Sequence, residues 1–204
     1  MTNISIGLHP ADNGAYRTQD QWINFFNKQG SPMISAADVY RAGKSAPDEV
    51  LNSLRKGFDE SLLVTSTRIS YSGDDLSGRI TQNYGSNVVN PSQTNVLVIP
   101  VYNGIPLART LQNEDGVSYL QSLLNTNDDS KTIAGTLENI SGRSADKIVL
   151  WTPDQDSRKR YSERAVRFYD IGNMFRVGGS LIFVDLIGHS HGMSVSSHSG
   201  RAKK

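Results

Sequence analysis

Apolar residues recur at helical spacing through the first sixty positions and at alternate positions through most of the remainder, with one helical block between. Thr18-x-x-Gln21 is a capping box, in which a side-chain oxygen and a side-chain amide satisfy each other's backbone N–H groups. Trp22, Phe25 and Phe26 follow as one face of a helix, which Gly30 and Pro32 end. Ser35-x-x-Asp38 starts a second helix, for which Gly43 is the natural terminator. Ser45, Pro47 and Asp48 start a third, whose Leu51, Leu54 and Phe58 form a single stripe.

The pattern then changes to period two. Leu62 to Tyr71 is rich in β-branched and aromatic residues, with Thr65, Thr67, Ile69 and Tyr71 on one face. A turn at Ser72-Gly-Asp-Asp leads into a second run from Arg79 to Tyr84, so a hairpin is expected. Val96 to Tyr102 is apolar on both faces and reads as a central strand, with Pro100 confined to an edge, bulge or end.

Between Gly104 and Gly142 the spacing is helical again, through Val117, Leu120 and Leu124 and then Ile133, Leu137 and Ile140. Asp128-Asp129 precedes the second of these stripes and reads as a cap favoured by the helix dipole. Strands are expected at Lys147 to Trp151, Ala165 to Tyr169 and Met174 to Val177, with a buried strand after Gly178-Gly179. The fold class that follows is α+β. Three N-terminal helices lead into a mixed or antiparallel sheet with inserted helices, and the C-terminal third is strand-rich. Residues 1–60 form the helical region, 61–192 the α+β core and 193–204 a polar, flexible tail, within one domain overall.

Charge alters this picture in one respect. The net charge is only +1, but from Arg143 onward eleven Lys and Arg face six Asp and Glu, while the preceding residues carry ten against fourteen. Basic character therefore belongs to the C-terminal third. No cysteine is present, which removes disulfides, thiolate metal sites and cysteine nucleophiles. The start lacks a basic and apolar leader and no run matches a membrane span, so a soluble cytoplasmic protein without a membrane partner is expected. The second and third helices have helix-turn-helix spacing, but the third opens on Asp48 and Glu49. That charge suits a packed helical pair and not a DNA-reading helix.

Three constellations carry candidate chemistry. Gly188-His-Ser190-His-Gly192 follows the apolar run from Leu181 and matches G-x-S-x-G. The segment Leu181 to Gly192 resembles the nucleophile elbow of α/β-hydrolases, and the resemblance implies Ser190 as nucleophile with the His191 amide in an oxyanion hole. That family orders its triad Ser, acid, His, whereas no Asp or Glu follows Ser190. Secondly, Asp185, His189 and His191 share strand parity, so one carboxylate and two imidazoles offer a metal three ligands. Thirdly, Arg158, Lys159, Arg160, Arg164, Arg167 and Arg176 lie close in sequence with Tyr161 among them. Guanidinium forks suit phosphate oxygens and aromatic rings stack on bases, with Asp154, Asp156 and Glu163 as local counter-charges.

The phosphate-binding G-x-x-x-x-G-K-[ST], the dinucleotide G-x-G-x-x-G and the H-E-x-x-H zinc motif are all missing, and no cofactor is expected. The leading expectation is a non-enzymatic binding module for a phosphate-bearing partner, foremost nucleic acid, through the basic C-terminal surface. A serine hydrolase built on Ser190 and a protein-interaction module are the alternatives.

Overall fold

A computed structural model of the chain describes residues 17–60, 62–87 and 92–179, together with 4–5 and 194–195. Helix α1 (Gln19–Lys28) carries the expected capping box, with Thr18 Oγ1 accepting from the Gln21 amide at 3.3 Å and Gln21 Oε1 accepting from the Thr18 amide at 3.0 Å. It ends where Gly30 takes a left-handed φ of 68°. Trp22, Ile23 and Phe26 are buried against Met33, Val64 and Ala165. Helix α2 (Ala36–Ser45) has the second capping box, between Ser35 and Asp38. Gly43, expected to terminate α2, lies inside it, and the helix stops only at Ala46-Pro47. Helix α3 (Asp48–Glu60) buries Leu51, Leu54 and Phe58, and the Phe58 ring meets Phe175 at 5.0 Å.

The strands are β1 (Ile4–Ser5), β2 (Leu63–Tyr71), β3 (Ser77–Gln82), β4 (Ser92–Gln93), β5 (Leu97–Val98) and β6 (Asn103–Pro106). Then come α4 (Leu107–Thr110), α5 (Glu114–Leu124), α6 (Ser130–Ser141), β7 (Ile148–Trp151), α7 (Gln155–Arg160), β8 (Glu163–Ile171), β9 (Met174–Gly178) and β10 (Ser194–Val195). The main sheet has eight strands in the order β4-β3-β2-β8-β9-β7-β6, with β5 also beside β3. Every pairing in it is antiparallel except β7 with β9, so the sheet is mixed and the α+β expectation holds. Within the stretch expected as a tail, β10 pairs antiparallel with β1. Helices α2, α3, α5 and α6 share one large core with β2, β3, β7, β8 and β9. The pair α2–α3 thus buries its apolar faces there.

One strand expectation is corrected. In the Val96 to Tyr102 segment only β5 pairs, at the edge beside β3, and Val96, Val98 and Val101 are exposed. Pro100 has no N–H for a ladder, and the chain turns there into a bracket made by Thr152. That hydroxyl donates to the Pro100 carbonyl at 2.6 Å and accepts from the Tyr102 amide at 2.7 Å.

In β2 both faces are buried, including Thr65, Ser66 and Thr67. Val64 faces Arg167 and Arg68 faces Ala165, so those three residues bulge opposite Val166 alone. Their hydroxyls are satisfied internally. Thr65 donates to the Val166 carbonyl at 2.8 Å, Ser66 to the Met33 carbonyl at 3.0 Å and Thr67 to Gln82 Oε1 at 2.6 Å.

Candidate functional site

The segment after β7 is built by local rules. Asp154 N-caps α7, its Oδ1 accepting from the Ser157 amide at 2.7 Å, which also holds the carboxyl below the usual aspartate range. Gln155 Nε2 donates to the Asp74 carbonyl at 3.1 Å and ties α7 to the β2–β3 turn. At the other end the Tyr71 amide donates to the Ser162 carbonyl at 2.6 Å, fixing the entry to β8.

The six cations expected on one surface are dispersed. Arg158 is fully buried, donating from Nε to the Pro153 carbonyl at 2.9 Å and from Nη2 to the Ile99 carbonyl at 2.8 Å, with its guanidinium 4.7 Å from the Tyr71 ring. It brackets the 99–100 turn onto α7. Desolvation lowers its pKa from the ordinary arginine value.

Along β8 the side chains alternate in direction, so Arg164 shares a face with Val166 and Phe168 while Arg167 lies on the other, with Ala165 and Tyr169. Arg167 is buried there, and burial pulls its pKa down to about 10. Arg176 pairs in register with Tyr169 and is half-buried over that ring and Trp151. Only Lys159 and Arg160 are exposed. A single basic surface containing all six is therefore corrected: strand alternation puts Arg164 on one face and Arg167 with Arg176 on the other, and Arg158 is interior.

Three of the expected residues do come together. Arg160, Tyr161 and Arg164 line a cleft of about 280 Å³ with Asp154, Asp156 and Ser157. Arg164 is 3 % exposed, its guanidinium carbon 5.0 Å from the Tyr161 ring. Its Nη2 reaches the Ser157 carbonyl at 3.5 Å, the outer limit of a hydrogen bond, and among the described residues Nε and Nη1 have no partner. A buried guanidinium with open N–H groups is costly, and burial lowers its pKa from the usual arginine value. In the sequence Asp154 and Asp156 stand as local counter-charges to the arginines. The cap at Asp154 was the available signal that both would stand beside Arg160.

Glu163 turns away from this cleft. With Asp20 it pairs Arg68, at 3.3 and 2.6 Å, and Arg68 Nε donates to Gln19 Oε1 at 2.8 Å. That cluster ties α1 to β2 and β8 with its groups mutually satisfied. A second, wider groove of about 440 Å³ lies between β4 and α5, lined by neutral side chains including Ser118, Ser122 and Asn127. Its hydroxyls and amides left no periodic trace in the sequence.

Ser190, and the metal candidates Asp185, His189 and His191, lie outside the described residues. Among the described residues no group of three or more His, Asp and Glu is placed to hold a metal ion, and no helix is long and apolar enough to cross a membrane. Comparison with protein-family models, with curated proteins and with solved structures yields no match to this chain.

Proposed function

We propose that the chain is a non-enzymatic binding module for a phosphate-bearing ligand of the nucleic-acid class, seated in the cleft between α7 and the start of β8. One observation supports this above the others: Arg164 lines that cleft with two guanidinium nitrogens that no described group satisfies. A phosphate oxygen pair is the natural complement of such a fork. Both nitrogens are covered, so engagement requires the guanidinium to turn toward the cleft, where Arg160 supplies a second cation. Tyr161 adds an aromatic ring to the same wall.

The test is fluorescence polarisation with labelled single-stranded DNA and RNA, titrated with salt. Binding is expected to weaken log-linearly with salt, by a slope of about −0.7 per phosphate neutralised. Arg164→Gln is expected to weaken it about tenfold, the worth of one lost charge-assisted pair. Lys159→Ala, which removes an exposed cation outside the cleft, leaves affinity unchanged. Absence of binding at low salt, or an Arg164→Gln protein that binds like wild type, overturns the assignment.

A further inference from the structure

The charges lining the cleft cancel. Arg160 and Arg164 stand with Asp154 and Asp156, so the lining of this cleft gives a polyanion no continuous positive track to follow. Proteins that track nucleic-acid backbone need such a track, since each strand offers a charge about every 3.4 Å. The carboxylates belong to the start of α7 and Arg160 to its end, with Asp156 one turn, about 6 Å, from Arg160. Asp154 and Arg160 bracket α7, and at about 1.5 Å per residue they lie about 9 Å apart. A volume of about 280 Å³ falls just below the range of ligand pockets, which starts at about 300 Å³, and leaves room for one small unit only.

Resting on the phosphate-binding reading above, we infer that the ligand is one nucleotide unit bearing a terminal phosphomonoester. The phosphate lies between Arg160 and Arg164, the base against Tyr161, and the sugar hydroxyls donate to Asp154 and Asp156. A terminal phosphate enters a narrow cleft and presents three oxygens to a recessed guanidinium. An internal phosphodiester carries a chain at both ends, and its neighbouring phosphates would meet the two carboxylates. Carboxylates accept hydrogen bonds from hydroxyl groups and repel further phosphate, so the acidic end selects the sugar side of the unit.

The experiment uses the full chain and pentanucleotides labelled internally, carrying a 5′-phosphate, a 3′-phosphate or hydroxyls at both ends. Adenosine monophosphate, adenosine and inorganic phosphate serve as competitors. At least one phosphorylated end is expected to raise affinity about tenfold over the hydroxyl form. Arg164→Gln and Arg164→Lys should both erase that difference, the lysine because it lacks the fork.

Tyr161→Ala should weaken adenosine monophosphate and leave inorganic phosphate unaffected, while Tyr161→Phe retains both. Competition by the free mononucleotide at the affinity of the pentanucleotide identifies a free nucleotide as the source. Competition only by the pentanucleotide identifies an oligonucleotide end. Equal affinity for phosphorylated and hydroxyl ends, with binding still lost in Arg164→Gln, overturns the terminal-phosphate inference and leaves the phosphate-binding reading standing. No binding of any probe overturns both.

Discussion

Gly43 gives the sharpest test of how the helical layer is packed. It lies within α2 where that helix crosses α6, and Asn139 Nδ2 donates to its carbonyl at 2.7 Å. A Cβ at this position would stand 2.4 Å from Ile140 Cγ1, 2.7 Å from Ile140 Cδ1 and 2.9 Å from Thr136 Cγ2. Carbon atoms pack at about 3.5–4 Å, so α2 and α6 would have to separate by roughly 1 Å. Overpacking of this kind costs about 1–3 kcal/mol, against which alanine returns about 1 kcal/mol of helix propensity.

Gly135 is the internal control. It is exposed in the middle of α6, and a Cβ there meets nothing within 4 Å. Gly135→Ala should therefore stabilise by about 1 kcal/mol, and Gly43→Ala should be neutral to destabilising by up to about 2 kcal/mol. Urea denaturation with an unchanged slope measures both, and the gap between them is the cost of forcing the helices apart. Shortening the obstacle, in Gly43→Ala with Ile140→Val, should recover part of that gap as a coupling energy. If both single alanines stabilise equally, the close approach of α2 and α6 is wrong.

Thr67 accepts from the Ala36 amide at 2.8 Å, serving the first turn of α2, and donates to Gln82 Oε1 at 2.6 Å. Thr67→Val keeps the shape and leaves both partners buried and unpaired, an expected loss of roughly 2–4 kcal/mol in urea denaturation. Thr67→Ser should lose about 1 kcal/mol or less. Asp128 accepts from Lys44 Nζ and from the Tyr40 hydroxyl, each at 2.8 Å, and the lysine contact above all holds its carboxyl down at about 2. A depressed carboxylate contributes stability that is present above its unfolded value near 3.8 and is lost as the pH falls toward 2. The urea midpoints of wild type and Asp128→Asn should therefore differ by a constant amount above about pH 5 and converge between about pH 4 and 2. Parallel pH profiles would mean that the Lys44 contact does not form in solution.

Arg158 separates the two levels at which the chain is read. By charge it belongs with Lys159 and Arg160, and all three would enter a nucleic-acid surface together. One helical turn distinguishes them: Arg158 points inward to the carbonyls of Pro153 and Ile99, while Lys159 and Arg160 point out. A guanidinium on an apolar stem can be buried when carbonyls and an aromatic ring receive it, and composition carries no sign of those partners. Val96 to Tyr102 failed for a related reason, because an apolar run does not say whether strands flank it on both sides.

What the sequence determined by itself is local. The caps at Thr18, Ser35 and Asp129, the stripes of α3, α5 and α6, and the β2–β3 hairpin all follow from contacts within a few residues or from a repeat of fixed period. Tertiary structure decided the rest. It carried α2 through Gly43 because α6 needs a residue without a side chain there, and it set 92–98 at the sheet edge. It split the arginines of β8 and β9 between two faces, and it brought Asp154 and Asp156 into one cleft with Arg164. Those outcomes depend on which distant backbone lies opposite each residue, and the free energy of such pairings resides in packing and desolvation between segments, not in any window of the chain.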